Sequence, residues 1–525
     1  MIHRIPGRSK GIKPNAPKRY IKYLYKFYSL IYSQMIIFLI ISLLLNIFFI
    51  WYVYQVLKKL LLFSKKTSYG IRYSFNNLIN YKDFSESVPI VNYEEFYPEI
   101  KKILSGEENV LWPEKIKWFA KSSGTTNDKS KFIPVSQTAL NQGHYKAGID
   151  MLSIYLSNYN SSNLFDGKSL ALGGSKQINP IGNAERLFTG DISAVLLKNL
   201  PFWARLFSTP SLDVAMMPEW ENKLRKMALI TSKQNITNIS GVPTWTIVLI
   251  KEILKITKSQ NILEVWPNLE LFIHGAVSFK PYKDLFKELI PSNRMRYLET
   301  YNASEGFFAV QDNPRKEEML LFTDHGIFYE FENIETKEVV DLSNVNVGSN
   351  YALIITTNSG LWRYRIGDTI RFYSVNPYKI KISGRTKHFI NAFGEELIIE
   401  NADTAMELAC KKHNASLYNY TAGPVYISGN NKGKHEWFIE FLSPPKNLKD
   451  FAHSLDTELK NLNSDYEAKR YKDLALEIPQ IKILHLGTFD KWLKKKNMLG
   501  GQNKIPRLSN NRKYLDDILK LTSNL

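Results

Sequence analysis

A large α/β domain followed by a smaller α+β domain is the fold that the residue pattern of this chain predicts. Three observations carry the expectation. Between residues 93 and 278, helical stretches alternate with short apolar strands and glycine-bearing loops. Over residues 320–385 the apolar residues recur at every second position, the spacing of half-buried strands. Beyond Gly394 two helical stretches interleave with two strand-like ones.

Taken in order, Tyr93 to Leu104 reads as a helix, and Ile116-Lys117-Trp118-Phe119-Ala120-Lys121 as a strand entering a loop at Ser122. Residues 136–260 should be mainly helical, punctuated at Gly173-Gly174 and at Ser240-Gly241-Val242-Pro243. Leu269-Glu270-Leu271-Phe272-Ile273 is a short apolar strand ending at His274-Gly275-Ala276, and Arg296-Tyr297-Leu298 is strand-like. Ile327 to Phe331, Tyr351 to Thr356, Trp362 to Tyr364 and Lys379 to Ile382 follow as strands. Past Gly394, Asn401 to Lys412 and Phe451 to Arg470 read as helices, the second with Leu455, Leu459, Leu462 and Tyr466 on one face. Leu417 to Ser428 and Glu436 to Leu442 alternate like strands between them. The expected division is an N-terminal extension over 1–57, a large domain over 58–393 and a C-terminal domain over 394–525.

Composition narrows the class. A length of 525 residues allows two or three domains, and a hydrophobic fraction of 44% speaks against disorder. The single cysteine, Cys410, rules out an intrachain disulfide and a cysteine metal cluster, which fits a reducing, cytoplasmic setting. The nine His show no ligand spacing, so a structural zinc site is not expected. With 69 Lys+Arg against 50 Asp+Glu the net charge is +19, a balance that favours nucleic acid, anionic lipid or acidic small molecules. No Arg/Lys stripe interleaved with aromatics forms a nucleic-acid module, so nucleic acid is not an expected partner.

The N-terminus is distinct. Residues 1–26 carry eight Arg and Lys and no acid, and Phe27 to Leu57 has no charged residue. About 20 apolar residues span a bilayer, so 27–57 is a candidate transmembrane or membrane-associated segment, with Trp51, Tyr52 and Tyr54 at one end. Lysines on both sides leave its orientation open. The competing reading is a helix pair packed on the remainder of the chain.

Five blocks carry chemistry. Ser122-Ser123-Gly124-Thr125-Thr126 offers four hydroxyls and backbone N–H groups around one glycine, a set suited to polyphosphate; no Gly-Lys-Ser/Thr follows, so it is not a Walker loop. Lys129 and Lys131 add charge nearby. In Tyr301-Asn302-Ala303-Ser304-Glu305 the tyrosine can stack on a purine, Ser304 can bond a phosphate oxygen and Glu305 can hold Mg²⁺. Asp368, in Tyr364-Arg365-Ile366-Gly367-Asp368 between two strand-like stretches, can take both hydroxyls of a ribose, or can mark a plain hairpin turn. Arg385, in Gly384-Arg385-Thr386-Lys387, can reach ribose or phosphate or simply be solvated. Lys504, in Gly501-Gln502-Asn503-Lys504-Ile505-Pro506-Arg507, would be a flexible ammonium able to neutralise a developing anion. Each block alone is also an ordinary turn or loop.

Together they resemble the adenylate-forming superfamily of acyl and aryl ligases. More specifically, the chain is similar to the bacterial branch of the auxin-responsive Gretchen Hagen family of acyl acid amido synthetases. The carrying stretches are Trp118 to Val135, Tyr297 to Phe308, Gly384 to Leu397 and Leu499 to Asn511, with Gly241-Val242-Pro243-Thr244-Trp245 and His274-Gly275-Ala276-Val277-Ser278 in support. The resemblance runs from about residue 55 to 520. It implies the adenylate-forming fold, with a large N-terminal α/β domain and a smaller mobile α+β lid. It places the phosphate loop on Ser122, Ser123, Gly124, Thr125 and Thr126, and the adenine-facing turn near Gly275, Ala276 and Tyr301. Phosphate and Mg²⁺ contacts fall on Ser304 and Glu305, the ribose acid on Asp368, the hinge at Gly384-Arg385 and the lid lysine on Lys504. Asn127 and Asp128 depart from the glycine that many adenylating enzymes carry there. The expected activity is ATP- and Mg²⁺-dependent adenylation of a small carboxylic acid, then transfer to an amino-acid amine. A thiol acceptor such as coenzyme A, or a silent ATP-binding membrane protein, are the alternatives.

Overall fold

The computed structural model describes residues 53–123, 130–173, 179–181, 187–217, 219–277, 279, 282–385, 389–428, 431–496 and 505–522. All of the architecture below belongs to the unit Val56–Leu525.

Its frame is a twelve-stranded sheet made of two halves. In the first half Ser208–Thr209, Lys168–Ala171, Ile236–Ser240, Leu271–His274 and Arg296–Ala303 run parallel. Every residue of Leu271–His274 is buried, as a strand covered on both faces requires. The second half continues antiparallel through Gly306–Val310, Met319–Leu321, Tyr378–Arg385, Tyr364–Val375, Asn350–Thr357, Ile327–Asn333 and Val339–Asp341. The strand Arg296–Ala303 is the seam, parallel to one neighbour and antiparallel to the other. A smaller sheet has Trp118–Ser123 at its centre, with Ser130–Val135 antiparallel on one side and Phe188–Gly190 parallel on the other.

Helices behave as their sequences dictate. Tyr93–Leu104 starts at a capping box in which Asn92 and Glu95 exchange bonds, and it buries Phe96, Ile100 and Ile103. Pro243–Thr257 begins with proline at its first turn and packs on the parallel half. Hydrogen bonds around a buried ion pair tie the N-terminal helices to the antiparallel half. Arg363, 5% exposed, donates from its guanidinium to Glu330 Oε1 at 2.7 Å and to the carbonyls of Ser85 and Val88 at 2.6 and 2.7 Å. Tyr81 adds a bond to Glu330 Oε1 at 3.0 Å.

C-terminally, Ser416–Val425 and Lys434–Ser443 pair antiparallel, and Gln480–Leu484 joins the latter in parallel. Helices Ile399–Lys412 and Leu448–Leu462 pack together beside them, giving the expected α+β arrangement. The largest apolar core runs from the parallel strands and Pro243–Thr257 into these C-terminal elements.

Two expectations are corrected. The stretch Phe451 to Arg470 is two helices, Leu448–Leu462 and Ser464–Arg470. Asn463 leaves the helical region (φ −140°, ψ 115°) and caps the second by accepting from the Tyr466 N–H, the local side-chain bond for which asparagine is favoured at helix starts. Asp368 is at no hairpin turn: Tyr364–Val375 is one strand, bulged against Asn350–Thr357 at Ile366-Gly367-Asp368, where Gly367 takes φ +96°. Among the described residues no helix is long and apolar enough to cross a membrane, and residues 1–52, with most of the uncharged stretch, lie outside them.

Candidate active site

A cleft of about 790 Å³ opens at the carboxyl ends of Leu271–His274 and Arg296–Ala303. Ligands of open α/β sheets gather outside the carboxyl ends of the strands. Ser122, Ala276, Tyr301, Ser304, Glu305, Asp368 and Gly384 all line it, so residues up to 262 positions apart in sequence share one wall.

Each is placed for a local reason. Ser122 stands near the end of the strand Trp118–Ser123, so the hydroxyl block begins inside a strand and not in a loop. The turn His274-Gly275-Ala276 is squeezed against the seam strand: a Cβ on Gly275 would lie 2.6 Å from the Thr300 carbonyl oxygen. Ala276 then takes φ +68°, an uncommon conformation for a residue with a side chain. Asn391 holds this turn by donating Nδ2–H to the Ala276 carbonyl at 2.9 Å, and its own N–H donates to Asn510 Oδ1 at 2.5 Å. Ser304 and Glu305 form the two-residue turn between Arg296–Ala303 and Gly306–Val310.

Tyr301 and Asp368 meet across the seam, the tyrosine hydroxyl donating to Asp368 Oδ2 at 2.6 Å. The Tyr301 ring packs on Phe308 at 4.8 Å between centroids. The hydroxyl thus fixes the carboxylate while both residues keep a surface in the cleft.

Glu305 sets the electrostatics. Burial pushes its carboxyl up to about 7, and Asp368 and Glu396 push in the same direction against the opposing pull of Lys131. A carboxylate so placed gains from any cation that joins it. Among the described residues no three or more His, Cys, Asp or Glu form a metal cage. Mg²⁺ is commonly held by one or two carboxylates together with substrate phosphates, so Glu305, in a cleft that Ser122 and Ser304 also line, fits that ion. His274, stacked on Phe279 at 4.3 Å, is held neutral, its imidazole pushed down to about 3 by burial.

Of the remaining expected site residues, Gly275 lies in the squeezed turn and Arg385 ends the strand Tyr378–Arg385 opposite Asp368 in register. The side chains of Ser123 and Arg385, and all of Gly124, Thr125, Thr126 and Lys504, lie outside the described residues. Lys131, Asn391 and Glu396 are among the cleft residues that sequence reasoning missed as site residues. Lys131 had been noted only as nearby charge, and Asn391 and Glu396 sit unremarked inside Gly384 to Leu397. Glu396 offers one signal in the sequence, an acid two residues after Gly394; in the structure it takes φ +40°.

A sheet with a parallel half, a carboxyl-end cleft and a smaller C-terminal α+β portion is the adenylate-forming architecture. The models of the GH3 family N-terminal, central and C-terminal domains match residues 53–295, 320–385 and 400–513. The chain belongs to the GH3 family. Indole-3-acetic acid-amido synthetase GH3.4 of Arabidopsis thaliana is 22% identical over 86% of this chain and 88% of its own length. GH3.15 of the same plant is 24% identical over 88% and 90%. Among solved structures, the AtGH3.15 acyl acid amido synthetase in complex with 2,4-DB superposes with TM-score 0.58 at 19% identity, covering 89% of this chain and 93% of that one. A 2-hydroxyisobutyryl-CoA ligase in complex with 2-HIB-AMP and CoA does so at 0.55 and 13% identity, covering 90% and 92%. Both share the fold.

Proposed function

We propose that this chain is an ATP-dependent acyl acid–amino acid ligase. The observation that carries the reading is the convergence of Ser122, Tyr301, Ser304, Glu305 and Asp368 on one cleft, in family order, from three strands and the turn that ends one of them. Membership of a family whose relatives are named amido synthetases supports the amine as acceptor.

In the first step a carboxylate oxygen of the acid attacks the α-phosphorus of ATP. The bond from that phosphorus to the bridging oxygen breaks, giving acyl-AMP and pyrophosphate. Asp368, steadied by Tyr301, holds the ribose, and the Gly275-Ala276 turn with the Tyr301 ring holds the adenine. Ser304 and the hydroxyls of Ser122, Ser123, Thr125 and Thr126 hold the phosphates, with the Gly124 backbone between them. Glu305 would hold Mg²⁺, which when bound would supply charge neutralisation for the polyphosphate. Lys504 brings an ammonium to the developing charge, and Arg385 at the hinge lies in register with Asp368. In the second step the region 394–525 turns about Gly384-Arg385, and an amino-acid amine attacks the acyl carbon. The carbon–oxygen bond to AMP breaks, the nitrogen loses a proton, and an amide and AMP leave. The need for ATP and the lone Cys410 support a cytoplasmic catalytic portion.

The test is acid-dependent exchange of labelled pyrophosphate into ATP across a panel of carboxylic acids, followed by AMP release with amino acids or coenzyme A. Exchange with at least one acid and amine-dependent product is expected. A product cleaved rapidly by neutral hydroxylamine would instead mean a thioester, and ATP binding without exchange would mean a silent site.

A further inference from the structure

The short helix Phe202–Phe207 presents its apolar side to water. Phe202, Trp203, Leu206 and Phe207 fall within about 140° of arc around the helix axis. None of its six residues is buried, and these four are 78%, 52%, 56% and 41% exposed. Phe165, 51% exposed, extends the surface, its ring 6.1 Å from that of Phe207. Cations surround it. Lys168 Nζ donates to the Leu206 carbonyl at 2.5 Å, and Arg205 Nε to the Leu200 carbonyl at 2.8 Å. Lys198 is exposed one turn before the helix. Residues 198–208 contain no acid, and Asp166 is the nearest in the neighbouring segment.

Isolated exposed apolar side chains are ordinary, but five contiguous ones, three of them phenylalanine and one tryptophan, mark an interaction surface. Rings flanked by Lys and Arg are what the boundary between lipid headgroups and acyl chains accommodates. A second copy of the chain is a poorer occupant, because a two-fold contact would set Lys168, Lys198 and Arg205 of each copy against the same cations of the other. The chain's charge of +19 points the same way.

We propose that this face docks the protein on an anionic lipid surface. Phe165, Phe202, Trp203, Leu206 and Phe207 enter the headgroup boundary, while Lys168, Lys198 and Arg205 meet lipid phosphates. The inference is independent of the ligase reading.

The experiment reads the patch itself. In the full chain Leu206→Cys is labelled with a polarity-sensitive dye; the native Cys410 is buried, its thiol pushed up by that burial, and so is a poor competitor. Vesicles of phosphatidylcholine with phosphatidylglycerol should shift the emission to the blue and protect the dye from an aqueous quencher. Phosphatidylcholine alone should do so weakly. Adding Lys198→Ala should raise the anionic lipid needed for half the shift about fivefold, the weight of one surface cation. Emission indifferent to vesicles, an equal response to neutral vesicles, or a blue shift produced by protein concentration alone would each overturn the proposal, the last in favour of self-association. Should the labelled variant fail to fold, retention of the Trp203→Ser/Phe207→Ser chain on the same anionic vesicles decides: undiminished retention overturns the proposal.

Discussion

Glu305→Gln should make the ligand-free protein more stable at alkaline pH and leave it unchanged at acid pH. The carboxyl titrates near its ordinary value of 4.5 in the unfolded chain and at about 7 in the folded one. Below 4.5 both states hold the proton and the group contributes nothing. Between 4.5 and 7 the unfolded chain has released its proton while the folded protein still pays to keep or lose its own, so stability falls as pH rises through that window. A separation of about 2.5 units corresponds to roughly 3 kcal/mol above pH 7, an upper bound because the side chain is half-buried at the cleft wall. Glutamine keeps the shape and cannot ionise, so the advantage of the variant over the wild type should grow from about zero at pH 4.5 to at most roughly 3 kcal/mol at pH 8. Denaturant unfolding of the two proteins at matched pH values reads this directly. MgATP should narrow the gap at pH 8, because a cation at the carboxylate removes the penalty in the wild type alone. A difference that stays flat from pH 4.5 to 8 would refute the reasoning: the Glu305 carboxyl would then titrate alike in the folded and unfolded chain.

Three further outcomes follow from contacts already described. Tyr301→Phe removes the hydroxyl that fixes Asp368 but keeps the ring, so the KM for ATP in pyrophosphate exchange should rise about tenfold or more while kcat changes little; an unchanged KM would show that Asp368 needs no such support. Arg363→Ala leaves Glu330 buried without its partner and should destabilise the protein by about 3–5 kcal/mol, with most of that recovered by Arg363→Met/Glu330→Met, as measured by denaturant unfolding. Lys504→Ala should lower exchange at least about a hundredfold without altering thermal stability, and a wild-type rate would remove Lys504 from the site.

How much could be read beforehand depended on whether a signal was local. Tyr93–Leu104 carries its own cap and periodicity, and its bounds were legible residue for residue. Tyr301, Ser304, Glu305 and Asp368 stood out as candidates because short blocks bearing hydroxyls and carboxylates together resemble one family, although each block alone reads as an ordinary turn. Their meeting in one cleft was not legible, since that rests on sheet pairings between distant strands. The break at Asn463 was hidden because apolar periodicity continues across it, and only the capping bond of one amide interrupts it. Asn391 shows no pattern at all. Its importance comes from two hydrogen bonds to residues more than a hundred positions away, to Ala276 and Asn510.

The seam strand Arg296–Ala303 has a consequence for how this protein can vary. Its two edges are read by different hydrogen-bond grammars, and its tip carries the turn with Ser304 and Glu305. Slipping it by one residue would turn Tyr301 away from Asp368 and break both halves of the frame in one event. Insertions or deletions here should therefore be intolerable even when they leave every cleft side chain in the sequence. Most proteins lose function by degrees as such changes accumulate; along these eight residues the loss should come all at once.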